Sequence, residues 1–163
     1  MATRRRAFIY RNFQVVDYAD HRGFLKDETG LTDLGALGGK MTTPTDLNDS
    51  SQVVGYAQVS SGENHAFLYQ AGRLTDLGTL PGGTQSYAYA INNLGQAVGA
   101  SDSSAGAQRA VLFERGVLRD LNGLIPASAG WLLTEARDIH DSGQIVGTGI
   151  FEGQVRAFLL TPR

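Results

Sequence analysis

The sequence predicts an all-β protein built from about four copies of one β unit. Three short motifs recur along the chain at spacings of 43 to 48 residues. No segment keeps a helical hydrophobic period over ten residues, and many of the 21 glycines separate short apolar runs. A fixed period combined with short segments between turn residues is typical of repeated antiparallel sheets.

The three motifs keep the same order in each copy. The first is a basic residue before a small residue and apolar residues, the second centres on Asp-Leu, and the third ends in Val-Gly. The first motif occupies residues 22–25, 65–69, 109–113 and 156–160, the second 33–35, 76–78 and 120–122, and the third 52–55, 96–99 and 144–147. Three motifs that share one period indicate a structural repeat.

The middle copy shows how one unit is built. Four strands are predicted at residues 87–91, 96–100, 109–113 and 117–121. The tetrapeptide 92–95, Asn-Asn-Leu-Gly, suits a type I turn closed by a glycine at positive φ. Gly99 falls inside the second strand, where we expect a close approach of a neighbouring backbone.

Four antiparallel strands in about 44 residues match one blade of a β-propeller. We therefore predict a single repeat domain, 1–163, that forms a propeller-like array of about four four-stranded blades. An open arc or solenoid of β repeats is the alternative. The units are predicted at about 1–35, an irregular first unit, then 42–78, 86–121 and 131–160, the last without its fourth strand.

The first unit leaves two possibilities open. Residues 6–10 resemble a third strand but lie too close to the next strand, 13–18, to follow the repeat. They are expected either to form the inner strand of a short first blade, turning through 11–12, or to pair with the exposed edge of the last unit and close a ring. Because larger rings are more common for such blades, we also expect self-association of two or more chains into one ring.

These motifs resemble the HAF-repeat family of probable extracellular repeat proteins, named for the triplet found here at 65–67. The residues that carry the resemblance are 65–69, 76–83, 86–92 and 95–99. The resemblance implies a secreted or cell-surface β-repeat protein, and thus an extracellular or periplasmic location. It brings no established activity and no catalytic residues. No signal peptide is recognised, because the apolar stretch after Arg4, Arg5 and Arg6 ends at Tyr10.

The composition excludes several classes of site. The chain has no cysteine, so disulfides, thiolate metal sites and thiol catalysis are excluded. A net charge of −2 does not indicate the basic surface that binds nucleic acid. No apolar run approaches the length of a membrane span. No metal site and no cofactor are predicted, although oxygen-rich turns at 46–50, 92–93 and 138–141 leave calcium as an alternative.

Charged residues that recur in every unit are predicted to be structural. The basic residues Arg22, His65, Arg109 and Arg156 begin the third strands, and the aspartates Asp33, Asp76 and Asp120 lie on the strands that follow. A functional group usually occurs once, whereas this pattern repeats. We therefore expect a lattice of ion pairs or turn hydrogen bonds.

Positions at which the copies differ are better candidates for ligand binding. On the first strand of the units these are Thr45, Tyr89 and Arg137, three residues before the turn, and Tyr87 and Glu135, two residues earlier. Trp131, at the longest connection between units, is predicted either to stack on a sugar ring or to fill the space between two blades. His140, in the turn of the last unit, completes the candidate set.

These residues lead to one functional prediction and two alternatives. The prediction is a non-enzymatic binding or scaffold protein outside the cytoplasm that holds glycan or protein, with no catalytic residue assigned. One alternative is a hydrolase or lyase with an acid–base site near Asp138 and His140, since Asp138, His140 and Asp141 form the densest acid–base cluster. The other is a purely structural repeat module.

Overall fold

A computed structural model describes residues 9–11, 14–19, 21–104 and 106–162, with the backbone alone at 9–11 and 15–19. This part of the chain contains fifteen strands and two short 3-10 helices, Leu121–Leu124 and Ala127–Ala129. The predicted all-β class is confirmed. Among the described residues no helix is long and apolar enough to cross a lipid bilayer.

The strands form four antiparallel sheets, each made of consecutive strands paired in chain order. The first sheet comprises β1 (Ile9–Arg11), β2 (Gln14–Ala19), β3 (Arg22–Asp27) and β4 (Gly30–Asp33). The second comprises β5 (Gly38–Leu47), β6 (Val53–Val59), β7 (Asn64–Gln70) and β8 (Arg73–Asp76). The third comprises β9 (Ser86–Ile91), β10 (Ala97–Ser101), β11 (Arg109–Glu114) and β12 (Val117–Asp120). The fourth comprises β13 (Trp131–Ile139), β14 (Ile145–Phe151) and β15 (Gln154–Leu160).

The first sheet shows which strand the N-terminal segment forms. Ile9–Arg11 pair with Gln14–Val16, so this stretch forms the first strand of the first sheet. Residues 6–8, the rest of the predicted segment, lie outside the described residues. The described residues add no fourth strand to the fourth sheet, in which β15 pairs with β14.

A separate apolar cluster fills each space between consecutive sheets. Leu25 and Leu34 of the first sheet pack with Leu47, Val53 and Phe67 of the second. The next two clusters repeat this arrangement between the second and third sheets and between the third and fourth. The core is therefore distributed over three interfaces, each formed by one face of a sheet and the opposite face of the next.

The predicted charge pairs form inside the sheets. Arg22 pairs with Asp33, His65 Nδ1 lies 2.9 Å from Asp76 Oδ2, and Arg109 lies 4.0 Å from Asp120. The other carboxylate oxygen of each aspartate accepts from a backbone N–H two residues later, at Gly35, Gly78 and Asn122. The aspartates thus hold the end of the fourth strand to the third strand. In the fourth sheet, Arg156 donates to Gln154 instead.

A ladder of buried asparagines joins the first turns of neighbouring sheets. Asn48 Oδ1 accepts from the backbone N–H groups of Ser50 and Gln52, while its Nδ2 donates to the carbonyl of Asn92 at 3.0 Å. Asn92 repeats the pattern, and its Nδ2 donates to the carbonyl of His140 at 3.2 Å. Each asparagine therefore closes its own turn and holds the next sheet.

Candidate functional site

The variable residues Thr45, Tyr89 and Arg137 of the first strands lie at β-bulges. Between β9 and β10, Val98 faces Ala90 and Gly99 faces Ala88, so Tyr89 is the extra residue without a partner. The same shift leaves Thr45 as the extra residue of β5 and Arg137 as the extra residue of β13. A bulge changes the direction of one side chain, and bulges often lie beside binding sites.

A glycine permits each bulge. A Cβ atom added at Gly99 would overlap the carbonyl oxygen of Tyr87. Gly55 and Gly147 are equivalent and lie against the carbonyls of Thr43 and Glu135. The close backbone approach predicted at Gly99 is therefore confirmed, and it occurs in three sheets.

Aromatic side chains from two sheets form one row with Arg137 of a third sheet. The rings of Tyr56 and Tyr87 meet edge to face at 5.1 Å between centroids, and Tyr87 stacks on Tyr89 at 6.4 Å. The guanidinium carbon of Arg137 lies 4.6 Å from the centroid of the Tyr89 ring. We call Tyr56, Tyr87, Tyr89 and Arg137 the aromatic row.

Glu135 fixes the charged end of the aromatic row. Its carboxylate forms an ion pair with Arg137, two residues along β13, and accepts from Gln108 Nε2 at 3.2 Å. The cation is therefore both over an aromatic face and beside an anion. A guanidinium held in this way contributes a cation–π attraction of about 0.5–1 kcal/mol at a partly exposed position.

A polar cleft of about 480 Å³ lies beside the row. Its lining includes Tyr87, Tyr89, Gln85, Gln108 and Asp102. Its volume is within the roughly 300–1,000 Å³ range of small-molecule sites. Two phenol rings with amide and carboxylate groups around them offer both an apolar surface and hydrogen-bond partners.

Burial stabilises the neutral form of the Tyr89 phenol. Burial, reinforced by the nearby Glu135 carboxylate, raises the pKa of Tyr89 from 10.0 to about 12, against the opposing effect of Arg137. The Tyr89 hydroxyl therefore stays a hydrogen-bond donor throughout the physiological pH range.

Backbone hydrogen bonds stabilise the ionised form of the Asp102 carboxylate. Its partial burial would raise its pKa, but the N–H groups of Gln85 and Thr84, at 2.7 and 2.8 Å, hold that pKa below its usual value. The cleft is thus lined by one carboxylate with a lowered pKa and by the two phenol rings of Tyr87 and Tyr89.

Thr45 and Trp131 are outside the aromatic row. Thr45 Oγ1 donates to the carbonyl of Ala88 at 2.8 Å and so connects the second and third sheets. Trp131 begins β13, half-buried, where it stacks on Phe151 at 5.0 Å and meets Phe158 edge to face. These contacts place its ring in the packing of the fourth sheet.

Asp138 and His140 each bond to their own turn. Asp138 Oδ1 accepts from the N–H of Ile139 at 2.8 Å, and His140 Nδ1 lies 2.9 Å from Ser142 Oγ. In the described part of the chain no hydrogen bond joins Asp138 to His140, and no group of three or more acidic, histidine or cysteine residues could hold a metal ion.

Sequence reasoning did not find Tyr56, Gln85, Asp102 or Gln108. A usable signal existed for Tyr56, because its equivalents in the next two units are Ala100 and Thr148. The second strand thus varies between copies as the first strand does. Gln85, Asp102 and Gln108 lie in or beside connections and carry no comparable signal.

No protein-family model matches this chain, and no curated protein is significantly similar to it. The chemistry of the aromatic row and of the cleft is therefore the basis for assigning a function.

Proposed function

We propose that this protein is a non-enzymatic glycan-binding protein, with the aromatic row and its cleft as the binding site. The observation that carries the proposal is the convergence of Tyr87, Tyr89 and Arg137 from two sheets beside a cleft lined by Gln85 and Asp102. Sugar rings combine C–H faces, which pack on aromatic rings, with hydroxyls that pair with amides and carboxylates. The site offers both kinds of partner.

The site is preorganised for such a ligand. Stacking between the two tyrosines and the contact with Arg137 restrict the rings, so little side-chain freedom is lost on binding. Gln108 and Tyr87 are already hydrogen-bonded, to Glu135 and Gln85 respectively. A rigid aromatic surface with polar groups at its edge is typical of small-molecule sites.

The proposal includes an architecture and a location. Four sheets in sequence order, joined by the same interface, are consistent with consecutive blades of a propeller-like array. The resemblance to the HAF-repeat family supports a role outside the cytoplasm, at the cell surface or in the periplasm. An array of this kind would present the bulged residues of neighbouring units along one face.

Glycan-array screening followed by titration calorimetry tests the proposal. Tyr89→Ala and Tyr87→Ala are expected to raise the Kd of a bound glycan by about 2–10-fold each, as loss of an aromatic contact worth about 0.5–1.5 kcal/mol implies. Tyr89→Phe keeps the ring and is the matched control, with an expected change below about 3-fold. Absence of glycan binding by the unmodified protein would refute the proposal.

A variant of Trp131 distinguishes the two aromatic candidates for the glycan site, Trp131 and the aromatic row. Trp131→Phe keeps an aromatic ring in the packing of the fourth sheet and should leave the Kd unchanged. If Trp131→Phe weakens binding while Tyr89→Ala does not, the aromatic row is not the site. Turnover of the bound glycan that is lost in Asp138→Asn would favour the hydrolase or lyase alternative instead.

A further inference from the structure

The fourth sheet has an apolar face that the described residues leave exposed. Val146 of β14 faces Leu159 of β15 across the sheet, and these side chains are 43% and 60% exposed. Ala157, two residues before Leu159 on the same side of the strand, is exposed as well. We call Val146, Ala157 and Leu159 the forward face of the fourth sheet.

The equivalent residues of the preceding sheets are buried or half-buried. Val54 and Val98, at the position of Val146, have no exposed surface. Ala66 and Ala110, at the position of Ala157, are likewise fully buried. Leu25 and Leu112, which match Leu159, are 6% and 9% exposed, and their counterpart Leu68 in the second sheet is half-buried. Each of these residues packs against the following sheet, so the forward face is one half of an interface that the molecule forms three times.

The first sheet presents the other half of this interface. Phe67 and Phe158 line the faces that receive the preceding sheet, where they are buried. Phe24 occupies the same repeat position in the first sheet but is only half-buried. Lys26, which matches the buried Tyr69, is exposed. We call Phe24 and Lys26 the rear face of the first sheet.

We propose that the forward face of the fourth sheet binds the rear face of the first sheet of a second copy of this chain. The partner is identified by continuity, because that rear face is the repeat equivalent of the surfaces that cover the forward faces of the first three sheets. The forward face and Lys26 are exposed in the same molecule and Phe24 is only half-buried, so the two faces do not cover each other within it. Such a contact is head to tail, and it closes into a ring when the rotation between copies permits.

The composition of the two faces sets the strength of the association. Exposed apolar residues in adjacent strands of one sheet mark interaction surfaces. Lys26 replaces an aromatic residue of the internal interfaces, but its aliphatic stem covers apolar surface while the ammonium group stays in water. The contact between copies is therefore weaker than the contacts within one chain, and it dissociates on dilution.

Light scattering coupled to gel filtration measures the association. The protein is expected to have a mass that is a multiple of 17.4 kDa at high concentration and to approach 17.4 kDa on dilution. Leu159→Arg and Val146→Arg should each give 17.4 kDa at all concentrations. The control is Leu94→Arg, which changes an equally exposed leucine in a turn of the third sheet and should leave the mass unchanged.

The absence of native cysteine allows a direct test of the orientation. A mixture of Leu159→Cys and Lys26→Cys chains should form disulfide-linked heterodimers under mild oxidation, and either variant alone should not. Self-linked Leu159→Cys chains would show a symmetric contact and overturn the proposal. An intramolecular bond in the double variant, at the mass of one chain, would show closure within one molecule and would also overturn it. These readouts need no glycan, so they are independent of the proposed function.

Discussion

Replacing Asn92 by alanine tests the asparagine ladder between the third and fourth sheets. The side chain is 2% exposed and makes four hydrogen bonds. Its Oδ1 accepts from the N–H groups of Leu94 and Gln96, and its Nδ2 donates to Gln96 Oε1 at 2.7 Å and to the carbonyl of His140 at 3.2 Å. An alanine side chain can form none of these hydrogen bonds. The groups that lose their partner are buried, so water solvates them poorly.

The expected loss follows from the number of bonds. A hydrogen bond contributes about 0.5–1.5 kcal/mol net, so removing four is expected to cost about 3 kcal/mol. In a domain of 150–250 residues each kcal/mol shifts Tm by about 2–4 °C, which predicts a decrease of about 6–12 °C. Urea unfolding followed by circular dichroism measures the free energy, and calorimetry measures Tm.

Two variants control this measurement. Asn93→Ala changes the adjacent asparagine, whose exposed side chain accepts from the N–H of Asp49 and donates to the Asp141 carboxylate. This variant should lower the free energy of unfolding by less than about 1 kcal/mol. Asn48→Ala removes the equivalent buried side chain between the second and third sheets and should cost about as much as Asn92→Ala. If Asn92→Ala destabilises no more than Asn93→Ala, the ladder does not hold the sheets together.

Three further predictions concern the bulge, the aromatic row and the charge lattice. Gly99→Ala should lower stability by more than about 3 kcal/mol in urea unfolding, because the new Cβ overlaps a backbone carbonyl oxygen; an effect below 1 kcal/mol would contradict the bulge geometry. Tyr89 has a raised pKa, so the stability that it contributes is complete below pH 10 and lost as the pH rises towards 12, by roughly 1 kcal/mol after allowance for solvent screening. Ultraviolet titration of the unmodified protein and of Tyr89→Phe should show one late tyrosinate that the variant lacks. Arg22→Ala should cost less than about 1 kcal/mol, since its ion pair with Asp33 is largely exposed; a larger loss in thermal unfolding would assign the pair a greater role.

The sequence carried enough information for the strands and their turns. Strands expected at 87–91 and 109–113 are observed at Ser86–Ile91 and Arg109–Glu114. The predicted turn at 92–95 forms with Gly95 at φ +77° and a hydrogen bond from Gly95 N to the Asn92 carbonyl. These features depend on contacts within one hairpin, and such contacts leave a local pattern.

The composition of the site was only partly predictable. The repeat units differ at the positions of Tyr89 and Arg137, which marks both residues as candidates. Their spacing from the turn does not show that each is the extra residue of a bulge. Their contact joins two sheets, and no period along the chain encodes how far a side chain reaches across an interface. The Asp102 carboxylate is held in the cleft by the backbone N–H groups of residues 84 and 85. No sequence pattern indicates these contacts.

The bulges at Tyr89 and Arg137 separate two requirements that the proposed binding function places on one hairpin. Gly99 and Gly147 are needed for the backbone path, whereas Tyr89 and Arg137 contribute their side chains to the aromatic row. At the third bulge, Thr45 instead connects two sheets through its hydrogen bond to Ala88. Under the proposed function, the ligand specificity of these two units can therefore be changed without altering the backbone path. Exchanging the residues at 89 and 137 between the two units should yield folded proteins with different ligand preferences.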